Sequence, residues 1–204
     1  MKLVCGIALL AVSCLYAQAT VTFTIDALDL RTAGGATLMP ISGQVFLVAS
    51  TTDLIFGGPT ADSFVSGDDV ILYRGDLSGS GVAGHFQAQT PVITLSGNLN
   101  TGDPLQLYWF PTLTGSSTSP GAGTSYGFYR HDTGLDGSEP WVIQGDGFGR
   151  TLLFLTQSEG GTNPDALGWA SFTVAPVPEA SNLITAGLTL GLCALRLFHG
   201  RGRS

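Results

Sequence analysis

The sequence predicts an all-β protein: an antiparallel β-sandwich of about ten strands, preceded by a cleavable signal and followed by a C-terminal transmembrane helix. Three observations carry the prediction. Short β-rich runs recur along the chain, separated by Gly-Gly, Gly-Asp and Asn-Pro breaks. No central stretch keeps a 3.6-residue period over three turns. Glycine supplies 29 of 204 residues and lysine only Lys2, a composition that opposes a helical bundle.

The strands follow in order. Val21, Phe23 and Ile25 alternate with Thr22 and Thr24, the period-2 pattern of a half-buried strand. Residues 44–49, 70–74, 86–88 and 92–95 continue in the same style. Residues 105–110, 126–130, 141–143, 152–156 and 169–174 complete the series. Val, Leu, Ile, Phe and the run Tyr108-Trp109-Phe110 supply the core. Cys5 and Cys14 fall in the N-terminal apolar run and Cys193 in the C-terminal one, so disulfides cannot hold the central region.

Charge excludes a nucleic-acid partner. Between Thr20 and Pro176, four arginines (Arg31, Arg74, Arg130, Arg150) stand against fourteen acids, a net of −10. Only 11% of the chain is charged, while 44% hydrophobic residues and a mean hydropathy of +0.30 oppose disorder. Mutual repulsion among the acids keeps such a lysine-poor surface soluble outside the cell.

Both ends read as addresses. Residues 1–19 form a secretory signal: Lys2 is the positive start, an apolar run follows, and Ala17 and Ala19 supply the small residues that signal peptidase requires. The mature chain is expected to begin at Thr20. Residues 20–176 are the exported domain and residues 177–204 a separate C-terminal unit. Within that unit Val177, Pro178, Glu179, Ala180 and Ser181 precede an apolar membrane helix at 182–198, and a basic tail occupies 199–204. The core of the run, 180–195, reaches roughly 24 Å as helix, short of a roughly 30 Å hydrocarbon layer, so Arg196 must snorkel. Arg196, Arg201 and Arg203, with no acid among them, hold that end in the cytoplasm and leave the domain outside. Pro178 keeps Val177 extended, and Glu179 is a single charge held at the membrane face.

This order of Pro-Glu motif, apolar helix and arginine-rich tail resembles the PEP-CTERM sorting signal of Gram-negative bacteria. The resemblance covers residues 177–204. Val177, Pro178, Glu179 and Ser181 fit the common pattern, and Ala180 stands where a second proline is usual. The resemblance implies recognition at Pro178-Glu179-Ala180 by exosortase, a membrane-embedded cysteine transpeptidase-like enzyme, in organisms that make extracellular polysaccharide. Its partners are then signal peptidase, the exosortase-like enzyme, membrane lipid and the surrounding polysaccharide. The route runs from an inner-membrane intermediate to the cell surface or extracellular matrix.

Several motifs mimic chemistry. Gly79 to Gly84 satisfies G-x-G-x-x-G, but a strand with Pro91 follows where a dinucleotide site needs a helix. Gly123-Thr124-Ser125-Tyr126-Gly127 satisfies G-x-S-x-G, yet a polar loop precedes Ser125 and His131 follows only six residues later. His85 and His131 are expected as solvent-facing sheet residues. Asp62, Asp68, Asp69 and Asp76 crowd one region and Asp132, Asp136 and Glu139 another. Asp68, Asp69 and Asp136 are the calcium candidates, although neither group has EF-hand spacing and solvated loops are the plainer reading. Glu139 with Asp136 or Asp146 could pair as glycosidase carboxylates, with nothing in the sequence fixing their separation. Trp109, Trp141 and Trp169 with Tyr108, Tyr126 and Tyr129 form either core or a sugar-stacking platform. The expectation is a non-enzymatic surface or matrix protein with no catalytic residues and no cofactor, and a carbohydrate-binding module is the alternative.

Overall fold

Alternation builds the first strand as the sequence predicts. Val21, Phe23, Ile25 and Ala27 are buried, while three threonines and Asp26 face outward, giving β1 (Thr20–Ala27). The computed structural model describes residues 18–131, 140–154 and 168–176. Among these, eight further strands follow: β2 (Gln44–Ala49), β3 (Val70–Asp76), β4 (Phe86–Gln89), β5 (Ile93–Thr94), β6 (Leu105–Phe110), β7 (Ser125–Tyr129), β8 (Gly149–Phe154) and β9 (Phe172–Thr173). The fold is all-β, with a single 3-10 turn among the described residues, at Leu77–Gly79.

The strands form two sheets in a sandwich-like arrangement. In the smaller sheet β4 and β5 lie end to end along one side of β1, and β8 lies along the other. One extra residue intervenes between the pairs Thr24↔Gln89 and Val21↔Ile93, so the β4–β5 edge is bulged there. Pro91, which has no N–H to give, sits in the bulge. The Thr90 hydroxyl repairs the ladder by accepting from the Phe23 amide at 2.9 Å. The larger sheet has the order β3-β2-β6-β7-β9 and is antiparallel throughout.

Strands β2 and β6 are buried at every position. A strand with no polar alternation must be covered on both faces, and two separate clusters cover this pair. Val45, Leu47, Leu107 and Trp109 face the smaller sheet and meet Phe23, Ile25, Leu152 and Phe154 in the main core. Phe46, Val48, Tyr108 and Phe110 face the other way, where Phe64 and Val174 close over them. The ring of Phe64 stacks on Phe46 at 4.4 Å and meets Phe110 edge-on at 5.6 Å. Arg74 lies over both Phe46 and Phe64, about 5 Å from each ring centroid. Its guanidinium is fixed by the carbonyls of Thr114, Gly115 and Ser117 and by Oε1 of Gln44.

Four expectations change. The sandwich is not wholly antiparallel, because β8 runs parallel to β1 over six register pairs. Residues 141–143 make no strand: Val142 forms one bridge to Pro104, while the amides of Trp141 and Ile143 donate to His131 and Asp103. The 169–174 run contracts to β9, with single bridges at Trp169 and Ala175. The Val92–Leu95 stretch contracts to β5 behind the bulge. Among the described residues no helix is long and apolar enough to cross a membrane. The run expected to do so, 182–198, lies outside the described residues, as do residues 1–17, the 177–181 motif and the tail arginines.

Candidate functional site

Several aspartates gather in and around the 50–69 loop. Asp68 turns one carboxylate oxygen, Oδ2, back on its own loop, accepting from the amides of Thr51, Thr52 and Asp53 and from the Thr51 hydroxyl. These bonds, the Thr52 amide foremost, hold its pKa down to about 2. Asp69, the next residue, points into the protein and is only 8% exposed. Its Oδ2 accepts from the Gly57 amide at 3.0 Å, and its buried Oδ1 has no hydrogen-bond partner. Burial pushes this carboxyl up, and the neighbouring charges of Asp68 and Asp53 push in the same direction. Asp103 is also raised, first by burial and then by Asp68, although the Asn100 amide opposes the shift.

Two of the three calcium candidates lie among the described residues. The loop-facing oxygen of Asp68 is engaged by its own backbone, and Asp69 faces the interior beside Gly57. Asp136 lies outside the described residues. Among the described residues no three His, Cys, Asp or Glu side chains are grouped to hold a metal ion. Asp76 instead caps the 3-10 turn, accepting from the Ser78 amide at 3.0 Å and from its hydroxyl, which holds its pKa down.

The carboxylates set opposite pH responses. Asp68 is lowered, so its contribution to stability is complete above pH 3.8 and is lost as pH falls toward 2. Asp69 is raised, so its ionised form opposes folding at neutral pH, and that opposition disappears once it protonates. Asp69→Asn therefore raises the urea midpoint at pH 7 and leaves it unchanged at pH 3. A lower midpoint at pH 7 would show that the carboxylate charge itself is needed.

The two glycine motifs lie on a 3-10 turn and on a strand. Gly79 ends the 3-10 turn, and β4 rather than a helix follows Gly84. Ser125 opens β7, so a strand rather than a helix follows it, and the extended chain runs roughly 13 Å on by Tyr129. The two glycines of that motif have structural duties. Gly123 turns with a φ of +79°, and Gly127 lies against the Trp109 ring.

Neither histidine is a solvent-facing strand residue, contrary to expectation. His131 is buried beside Tyr129, with ring centroids 6.4 Å apart. His85 precedes β4 and pairs Nε2 with Oδ1 of Asp26 at 2.8 Å. The six-ring platform is also dismantled. Trp109, Trp141, Tyr108 and Tyr129 are buried, and among the six only Trp169 is strongly exposed, with Tyr126 half-buried. Of the possible glycosidase carboxylates only Asp146 is described, and it receives the Thr20 amide at 2.7 Å.

What sequence reading missed is the open edge of the sandwich. There residues of β3 line two openings of about 590 and 520 Å³, the first together with β5 and the second together with β4. The signal available was weak: β3 carries Val70 and Ile71 exposed, an apolar pair out of place on a solvated edge. No family model, curated protein or solved structure matches this chain.

Proposed function

We propose that this chain is an exported, non-enzymatic protein of the cell surface or extracellular matrix, sorted through residues 177–204 by an exosortase-like enzyme. The observation that carries the reading is the three-part order of Pro178-Glu179, apolar run and Arg196, Arg201 and Arg203. In this reading the 182–198 helix anchors an inner-membrane intermediate, and processing near the Pro-Glu element releases or relinks the domain outside. A cysteine-free domain with a net charge of −10 suits that destination, since its fold is independent of redox state and its surface resists aggregation.

The start of the domain supports export before folding. The Ala19 carbonyl accepts from the Leu95 amide, and Thr20 is already the first residue of β1, paired with Thr94. A scissile Ala19–Thr20 bond lies at the sheet boundary, so signal peptidase must act on the unfolded chain. Cleavage there converts the Thr20 amide into an ammonium group 2.7 Å from Asp146 Oδ1, making an ion pair out of a neutral-donor hydrogen bond. Asp146→Asn should cost the processed chain about 0.2–1 kcal/mol, the range of exposed ion pairs, and cost less in a chain that retains residues 1–19. Equal losses in the two forms would refute the pairing.

The test of the function itself is the mass and fractionation of the chain in a Gram-negative host that carries an exosortase. Loss of residues 1–19 and a second loss near Pro178 are expected.

A further inference from the structure

We infer that the open edge between β3 and the β4–β5 strand is a binding groove for an extended, uncharged polysaccharide chain. The inference deepens the surface-protein reading by naming the polymer class such a protein would hold.

The two openings succeed one another along one strand. Val70, Ile71 and Leu72 line the first opening, and Tyr73 through Asp76 line the second, so the two lie in line along β3. Opposite them stand Ile93 and Thr94 in the first and Gln87 and Ala88 in the second. Tyr73 packs toward the interior against Phe86, with ring centroids 6.2 Å apart, which closes the floor at mid-length. Two openings in line, each with apolar lining and exposed polar rims, suit successive units of a linear polymer.

Lining chemistry selects a neutral ligand. The charged residues of the groove are already engaged within the protein. Arg74 is committed to Gln44 and to three carbonyls, Asp68 to the Thr52 and Asp53 amides, and Asp76 to Ser78. What remains on the rims is amide and hydroxyl chemistry, with Gln87, Asn98, Thr94 and Ser96 exposed. Such groups donate to and accept from sugar hydroxyls, while Tyr73 and the aliphatic side chains meet the apolar faces of the rings. A domain with a net charge of −10 repels polyanions.

Edge geometry favours a glycan over a peptide. A peptide bound by strand addition needs an uninterrupted backbone ladder. Strand β3 shifts register between its pairs with Leu47 and Val48, and β4–β5 is bulged at Pro91, so both edges break the ladder near the middle of the groove. A sugar chain held by side chains needs no ladder.

The test is affinity electrophoresis of the full-length chain in detergent micelles. Gels contain galactomannan, xyloglucan or hydroxyethylcellulose as neutral polymers, and alginate as the acidic one. At least one neutral polymer is expected to retard the protein, and alginate is not. Combining Gln87→Ala with Asn98→Ala should weaken the retardation at least tenfold while leaving the urea midpoint unchanged, since both side chains are exposed. Phe172→Ala, on the opposite edge of the larger sheet, should have no effect. The inference is overturned if no neutral polymer retards the chain, if the double variant binds like wild type, or if alginate binds equally well. Displacement of the polymer by an extended Thr/Val-rich peptide would reassign the groove to strand addition. Binding by purified protein is independent of processing, so its failure leaves the sorting reading intact, and the reverse also holds.

Discussion

Gly127→Ala should destabilise the domain by about 3 kcal/mol, at the upper end of what overpacking a core costs. Gly127 is paired with Trp109 across β6 and β7, and a methyl group there would lie 2.1 Å from Cε2 and Cζ2 of the indole. The ring cannot retreat. It is 1% exposed, its centroid lies 5.7 Å from that of Phe154, and Phe154 is stacked on Tyr129 at 4.0 Å. Since domains of this size are stable by only about 5–15 kcal/mol, one methyl group consumes a large share of the total. The cause is separable from a general glycine effect. Trp109→Phe leaves room above β7, so adding it to Gly127→Ala should restore part of the lost stability, a coupling expected only for residues in contact. Urea unfolding of the two single variants and the double variant measures this. Strictly additive losses would refute the steric account.

The second large effect concerns the C-terminal unit. Replacing Leu188, Leu190 and Leu192 with aspartate places three charges in the apolar run, at roughly 2.5–3.5 kcal/mol each at the bilayer centre. If residues 182–198 are the proposed membrane helix, that cost expels it from the bilayer, and the chain should leave the membrane fraction and appear uncut outside it. Deleting residues 201–204 should weaken retention while leaving the Pro-Glu element in place. Fractionation into membrane and soluble pools separates these outcomes. A triple variant that still sediments with membranes would show that the run is not the anchor.

The architecture was legible wherever side-chain period and sheet face agree. The alternation of Val21, Phe23 and Ile25 specifies β1, and the apolar runs 44–49 and 105–110 coincide with β2 and β6. Those same runs concealed the second core. A strand that is apolar at every position does not say which residues share a face, so Tyr108-Trp109-Phe110 reads as one core run. In the structure Trp109 turns to one side and Tyr108 and Phe110 to the other. The cover for the second face, Phe64, comes from a loop rich in glycine and aspartate that shows no period at all. The parallel partnership of β1 and β8 was equally hidden, because it joins residues far apart in sequence by backbone bonds that leave no mark on side-chain pattern. The groove arises the same way, from strands β3, β4 and β5 of two sheets that come to line the same openings. The G-x-S-x-G match has the strand after it that the sequence reading expected, and its second glycine is a seat for Trp109.

The sorting reading rests on Glu179 being read as a recognition element rather than serving as a polar end to the helix. The most direct measurement is the mass and cellular fraction of Glu179→Ala, compared with wild type, in a Gram-negative host carrying an exosortase. This substitution barely alters the hydrophobic energy of the run that follows, so insertion should be preserved. The account predicts a variant that loses residues 1–19, remains in the membrane and keeps residues 177–204. A Glu179→Ala chain cut and released like wild type would contradict it and reduce the C-terminal unit to a plain anchor.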